Sequence, residues 1–184
     1  MVLEPFKHRE YYNELSTNLY TPQMTKIRES RIIKHWDKMR LLYPKNTEIN
    51  KWAKYTMPEM IWINTITEMR DFGLPIPDIK RVYDSLLSPN IENWSSLVQS
   101  IIYEGVSNVS IVINRTDVWF LIDNIPIIIN KDGNPVKYIK PNQTTSSLII
   151  CVDHIVESTL SDKTQNTIDR VELYNKFLKS RINA

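Results

Sequence analysis

The chain has 184 residues, 42% of them hydrophobic and 24% charged, with a formal net charge of +2. That is long enough to bury a real core and too apolar for a disordered polyelectrolyte. Three glycines and one cysteine exclude a glycine-rich phosphate cradle and an internal disulfide framework.

The apolar runs, such as "IPIII" at 125–129, fall far short of the roughly 20 residues that a bilayer-spanning helix needs. No apolar stretch follows a basic start, so no signal peptide is read. The single Cys151 fits a reducing compartment, and a soluble cytoplasmic protein is expected. The small net charge hides an uneven distribution. Residues 26–54 hold nine basic side chains against three acidic ones, a local excess on a chain that is otherwise slightly acidic. Such a concentration is the footprint expected of a nucleic-acid contact.

In chain order, residues 1–19 read as an N-terminal extension, with a short helix over 7–15. Thr21 and Pro22 can open a helix as N-cap and first helical residue. Glu29 to Leu41 forms the next, stopped near Pro44. "KNTEINKWAKY" at 45–55 has no helical stripe and reads as a short hairpin. Thr56 followed three residues later by Glu59 has capping-box spacing, and Pro58 suits the first turn; this helix runs to about Asp71 and ends at Gly73. Another opens at Pro77 or Asp78 and reaches Leu87. "SPN" at 88–90 is a junction, because the texture changes there from helical spacing to β-branched runs.

Beyond it, Glu92–Tyr103 reads as a helix. Strands are expected at 109–114, 118–123 and 125–130, with "KDGN" at 131–134 turning into a returning strand at 136–140. "SLIICVDHIV" at 147–156 fits strand or helix equally by periodicity. Residues 167–181 show an amphipathic stripe of Ile168, Val171 and Leu178. The expected fold class is therefore α+β. A helical winged helix-turn-helix domain at 20–88 precedes a small α+β domain at 91–184, with an antiparallel sheet and a C-terminal helix.

The helix in "RESRIIKHWDKMRLLYP" (28–44) carries the chemistry. At 3.6 residues per turn, Arg31, Lys34, His35 and Lys38 fall at i, i+3, i+4 and i+7 and share one face. Ile33 and Trp36 lie on another, flanked by Ile32 and Met39. A charged face is most often only solvated. Here, however, a helix, a basic hairpin (Lys45, Lys51, Trp52, Lys54, Tyr55) and a capped helix follow one another as in a winged helix-turn-helix.

At this point the sequence resembles the MerR-type transcription regulators. "IIKHWDKMRLLYP" (32–44), "WAKYTMPEM" (52–60) and "IWINTITEMRDFGLPIPDIKRVYDSLL" (61–87) carry the resemblance, most specifically "MRDFGLPIPDIKRV" through Gly73 and Ile79. It covers residues 20–87. The resemblance implies binding to double-stranded DNA as a homodimer. Arg31, Lys34, His35 and Lys38 would meet the major groove, while Lys51, Lys54, Tyr55 and Arg28 hold the phosphate backbone. Four features depart from the family pattern. Ala53 replaces the wing arginine, and Arg40 replaces the glycine before "LL", so a different backbone solution is expected at that turn. The stretch between Tyr20 and Arg31 is shorter than the family's, by about three residues, and no long dimerising helix follows residue 88.

The other candidates carry less. Cys151 and His154 have C-x-x-H spacing, half a metal site, and a buried cysteine in an apolar run is the expected reading. His8 is expected at the surface. Asp117, Asp123 and Asp132 sit at strand ends and turns, where Asp serves the backbone. Trp94 and Trp119 are expected in the core. No nucleophile elbow, zinc-protease helix or kinase signature is present, so neither an enzyme, a metal site nor a cofactor is expected. Two alternatives to a regulator without effector remain. One is a non-enzymatic interaction or assembly module that pairs its β-rich half across chains through strand edges. The other is a regulator that senses a small molecule within 91–184.

Overall fold

The computed structural model describes residues 30–43, 55–88, 91–103, 106–130, 135–137 and 147–161. The expected extension, the helices before residue 30, the hairpin over 45–54, the 131–134 turn and the helix over 167–181 lie outside the described residues. The elements are α1 (Ser30–Lys38), α2 (Met57–Asp71), α3 (Ile76–Leu86) and α4 (Ile91–Tyr103). Then come β1 (Val109–Ile113), β2 (Val118–Ile122), β3 (Ile125–Ile129), β4 (Pro135–Lys137), β5 (Leu148–Cys151) and α5 (Val152–Ser161).

Helix α2 is the hub. "MIWINTITEM" is apolar or small on every side, as suits a helix surrounded by others. Met60, Ile61, Trp62, Ile63, Thr65 and Ile66 are all buried. Its start is the capping box read from the sequence: the Glu59 N–H donates to Thr56 Oγ1 at 3.5 Å, and the Thr56 N–H donates to Glu59 Oε2 at 2.6 Å. Its end is a left-handed glycine cap. Gly73 has φ +83°, its N–H donates to the Arg70 carbonyl, and the Leu74 N–H donates to the Met69 carbonyl, both at 2.9 Å. Those two bonds satisfy carbonyls that the last turn would leave bare.

The strands form one antiparallel sheet in the order β4-β3-β2-β1-β5. β1 to β4 follow as a meander, and β5 returns to the far side of β1. The β2–β3 connection is a two-residue turn in which Asp123 (φ +47°) and Asn124 (φ +64°) are both left-handed. That geometry matches the twist of a tight hairpin, and Asp and Asn tolerate it better than other side chains. Between β1 and β2, Asn114 Oδ1 accepts the N–H groups of Thr116 and Asp117, at 2.9 and 2.6 Å. Asp117 and Asp123 thus serve turns. Alternation sends Val109, Ile111, Phe120 and Ile122 to the face that meets the helices. The paired Val112 and Trp119 are buried as well, by alternation on the other face.

"SLIICVDHIV" is both of its readings in succession, strand to Cys151 and helix from Val152. Its cysteine is a correction: Cys151 is exposed, not buried. In a half-covered strand of period 2, Ile150 takes the core position and Cys151 necessarily faces outward.

The residues on either side of 88–90 contribute to one hydrophobic cluster, which runs from Ile33 and Trp36 through α2 and α3 to α4, the sheet and α5. Trp62 and Trp94 meet edge to face at 5.6 Å. Trp94 donates its indole N–H to the Pro58 carbonyl at 2.8 Å and stacks on Phe120. Across the same boundary, Asn64 Nδ2 donates to Thr159 Oγ1 at 2.9 Å.

Candidate nucleic-acid interface

Nine residues are too few for a helix to hold itself together in water. Helix α1 is held by burial: Ile33 is 3% and Trp36 4% exposed. Burying a side chain of the size of Ile33 contributes about 1.5–3 kcal/mol. Arg31, Lys34, His35 and Lys38 are all exposed, so the structure brings these four together on the solvent side of an anchored helix. Asp37, Met39 and Arg40 are exposed too.

The way α1 ends decides where that face points. The Leu41 N–H donates to the Trp36 carbonyl at 3.0 Å and the Arg40 N–H to the Asp37 carbonyl at 2.9 Å. This is the same left-handed cap that closes α2, but the residue in the left-handed position is Arg40, with φ +54°. The family pattern has glycine there. Arginine adopts the same backbone, at a steric cost of about 1–2 kcal/mol. The cap turns Leu41, Leu42 and Tyr43 inward, where all three are buried.

Two aromatic side chains then fix this exit. Trp62 on α2 donates its indole N–H to the Leu41 carbonyl at 2.7 Å. Tyr83 on α3 donates its hydroxyl to the Leu42 carbonyl at 3.5 Å and meets Tyr43 edge to face at 6.5 Å. The basic face is therefore carried by a helix whose exit is fixed to two others, as a readout surface needs.

Tyr55 does not join that face. Read from the sequence as a phosphate-holding side chain, it is 5% exposed and belongs to the core. Burial, with the carboxylates of Asp37 and Glu59 nearby, pushes its phenol up from the usual 10 to about 12. Its ring anchors the chain immediately before α2 from within. Arg28, Lys51 and Lys54 lie outside the described residues. The sequence reading missed the Trp62 and Tyr83 clamps, which depend on long-range placement. It also placed Ile32 and Met39 beside the core, whereas they are 38% and 44% exposed.

Among the described residues, no three His, Cys, Asp or Glu side chains converge as metal ligands, and no helix is long and apolar enough to cross a membrane.

Residues 26–86 match the family model described as MerR HTH family regulatory protein. The segment that contains α1, α2 and α3 is thus a MerR-type helix-turn-helix region, about a third of the chain. No curated protein and no solved structure matches the chain.

Proposed function

We propose that the chain is a sequence-specific, double-stranded DNA-binding transcriptional regulator. Helix α1 enters the major groove, which is wide enough to admit it. Arg31, Lys34, His35 and Lys38 supply donors toward base edges and neighbouring phosphates. Lys51, Lys54 and Arg28 hold the backbone, while Tyr55 serves the core. The single observation that carries this reading is the row of four exposed donors opposite Ile33 and Trp36, on a helix inside the MerR-type region. The mechanism is binding alone, without catalysis or cofactor. The acting species is a cytoplasmic homodimer, in which residues 91–184 supply dimerisation or sensing.

Selection of bound sites from random duplex, followed by titration over a salt series, tests this. Enrichment of a two-fold symmetric site is expected, with half-sites separated by one or two helical turns, about 34 Å each. Log affinity should fall linearly with log salt, by about 0.9 for every phosphate neutralised. Absence of duplex binding at low salt would leave the helix-turn-helix as a protein-interaction scaffold.

A further inference from the structure

Five large hydrophobic side chains are exposed among the described residues, and two of them, Ile32 and Met39, belong to α1 and its first residue beyond. Single exposed hydrophobics are ordinary. These two are seven residues apart, so at about 100° per residue they project within about 20° of each other. By the same winding His35 lies about 40° to the far side of Met39, and Arg31 about 40° beyond His35. The solvent face of α1 is therefore two parallel strips, one cationic (Arg31, Lys34, Lys38) and one apolar (Ile32, Met39), with His35 at their border. Trp36 lies about 40° from Ile32 and about 60° from Met39, so the apolar strip borders the anchored face, yet its side chains stay 38% and 44% exposed.

From this juxtaposition we infer that Ile32 and Met39 read the 5-methyl group of thymine in the major groove. The inference rests on the DNA-binding reading above and names what part of the duplex the helix recognises. The cationic strip selects a polyanion by charge. Among the major-groove edges of the four bases, thymine presents an apolar methyl group beside its acceptor, while the others present hydrogen-bonding atoms. An apolar side chain gains there by burying methyl surface and gains nothing against a phosphate or a polar base edge. An acidic protein partner would also satisfy the cationic strip, but it would be indifferent to pyrimidine methylation.

The test uses the full chain and a site selected from random duplex. Each thymine in turn is replaced by deoxyuridine, which keeps base pairing and removes only the methyl. The wild type should lose about fourfold in affinity at one or two thymines per half-site, the worth of one buried methyl-sized group. Ile32→Ala and Met39→Ala should bind the thymine and uracil duplexes with more nearly equal affinity. The thymine-to-uracil ratio is read within one preparation, so a partly unfolded variant does not distort it. Equal binding of both duplexes by the wild type overturns the inference and leaves the regulator reading intact. So does a thymine preference that survives in both variants, because other groups then read the methyl. Failure to select any duplex overturns the DNA-binding reading and this inference with it.

Discussion

The indole N–H of Trp62 lies 2.7 Å from the Leu41 carbonyl, twenty-one residues away in sequence, and closes the exit of α1 onto α2. Both groups are buried, so neither can turn to water. Trp62→Phe keeps an aromatic ring but leaves that carbonyl unpaired, a loss of about 1–3 kcal/mol. A lower denaturant midpoint with an unchanged slope is expected. Duplex affinity should fall further than stability alone explains, because the cap that orients Arg31 and Lys34 loosens. A variant that unfolds earlier but binds duplex unchanged would show that the clamp does not set the orientation of α1.

Arg40 offers the opposite experiment. Its left-handed backbone (φ +54°) costs about 1–2 kcal/mol for a side chain with a Cβ, and glycine gives back about 0.5–1 kcal/mol of that through its greater freedom when unfolded. Arg40→Gly should therefore stabilise the chain by up to about 1.5 kcal/mol, and Arg40→Ala should not. Thermal midpoints of the two variants, compared with the wild type, check this. A stabilising alanine would mean that loss of positive charge, and not relief of the backbone, is responsible.

Base-reading and phosphate-holding side chains should separate in binding experiments. Arg31→Ala removes a base-edge donor and should relax base preference, by about 1–3 kcal/mol between the best and a mismatched site. Lys51→Ala or Lys54→Ala should weaken specific and random duplex alike. Each should also lower the slope of log affinity against log salt by about 1 for every phosphate it ceases to neutralise. If all three variants act identically on specific and random duplex, the division of labour between α1 and the 45–55 segment is wrong.

Tyr55 gives a pH signature. Burial chiefly, then Asp37 and Glu59, hold its phenol protonated up to about pH 12, against 10 when unfolded. Between those values the native state keeps a proton that the unfolded chain has released, so stability falls as pH rises through the window and is complete below it. Tyr83 shifts in the same direction, through burial and then Asp84. In a phenolate absorbance titration, Tyr55→Phe should remove one late-titrating group, and Asp37→Asn should move that group earlier. A phenol at position 55 that ionises with the exposed tyrosines would place its ring outside the core.

What the sequence made legible was local. The Thr56–Glu59 box, the glycine end of α2 and the alternating strands depend on neighbours within a few residues, and the structure reproduces them within a residue or two. The split of 147–156 at Cys151 was not readable, because a short apolar run suits either period until its partners are known. Nor was the Asp123–Asn124 turn, whose residues look like the end of one strand and a bare connection. At Arg40 the family's glycine was missing while its backbone was kept. A left-handed arginine has no sequence signal except its place in the motif. Tyr55 has polar and apolar parts that suit a phosphate contact or a core equally, and only its place in the folded core decides between them.

The boundary at residues 88–90, read from texture, coincides with no gap in the core. Trp94 covers Trp62, Arg81 Nη2 donates to the Asn114 carbonyl at 2.8 Å, and Asn64 on α2 bonds to Thr159 on α5. Thr159 in turn donates to the Ile155 carbonyl at 2.7 Å. With the halves joined in this way, they should unfold in one transition, and helical circular dichroism and tryptophan emission should report the same midpoint. A fragment ending at Ser88 would expose Trp62, Leu86 and Leu87, and it should show no cooperative melt. In the full chain, Thr159→Val removes one hydrogen bond to Asn64 and should cost about 0.5–1.5 kcal/mol. That loss should lower the midpoint seen by both probes equally, although the substitution lies some seventy residues beyond the MerR-type region. A fragment of residues 20–88 that melts cooperatively, or a Thr159→Val change confined to one probe, would make the halves independent domains.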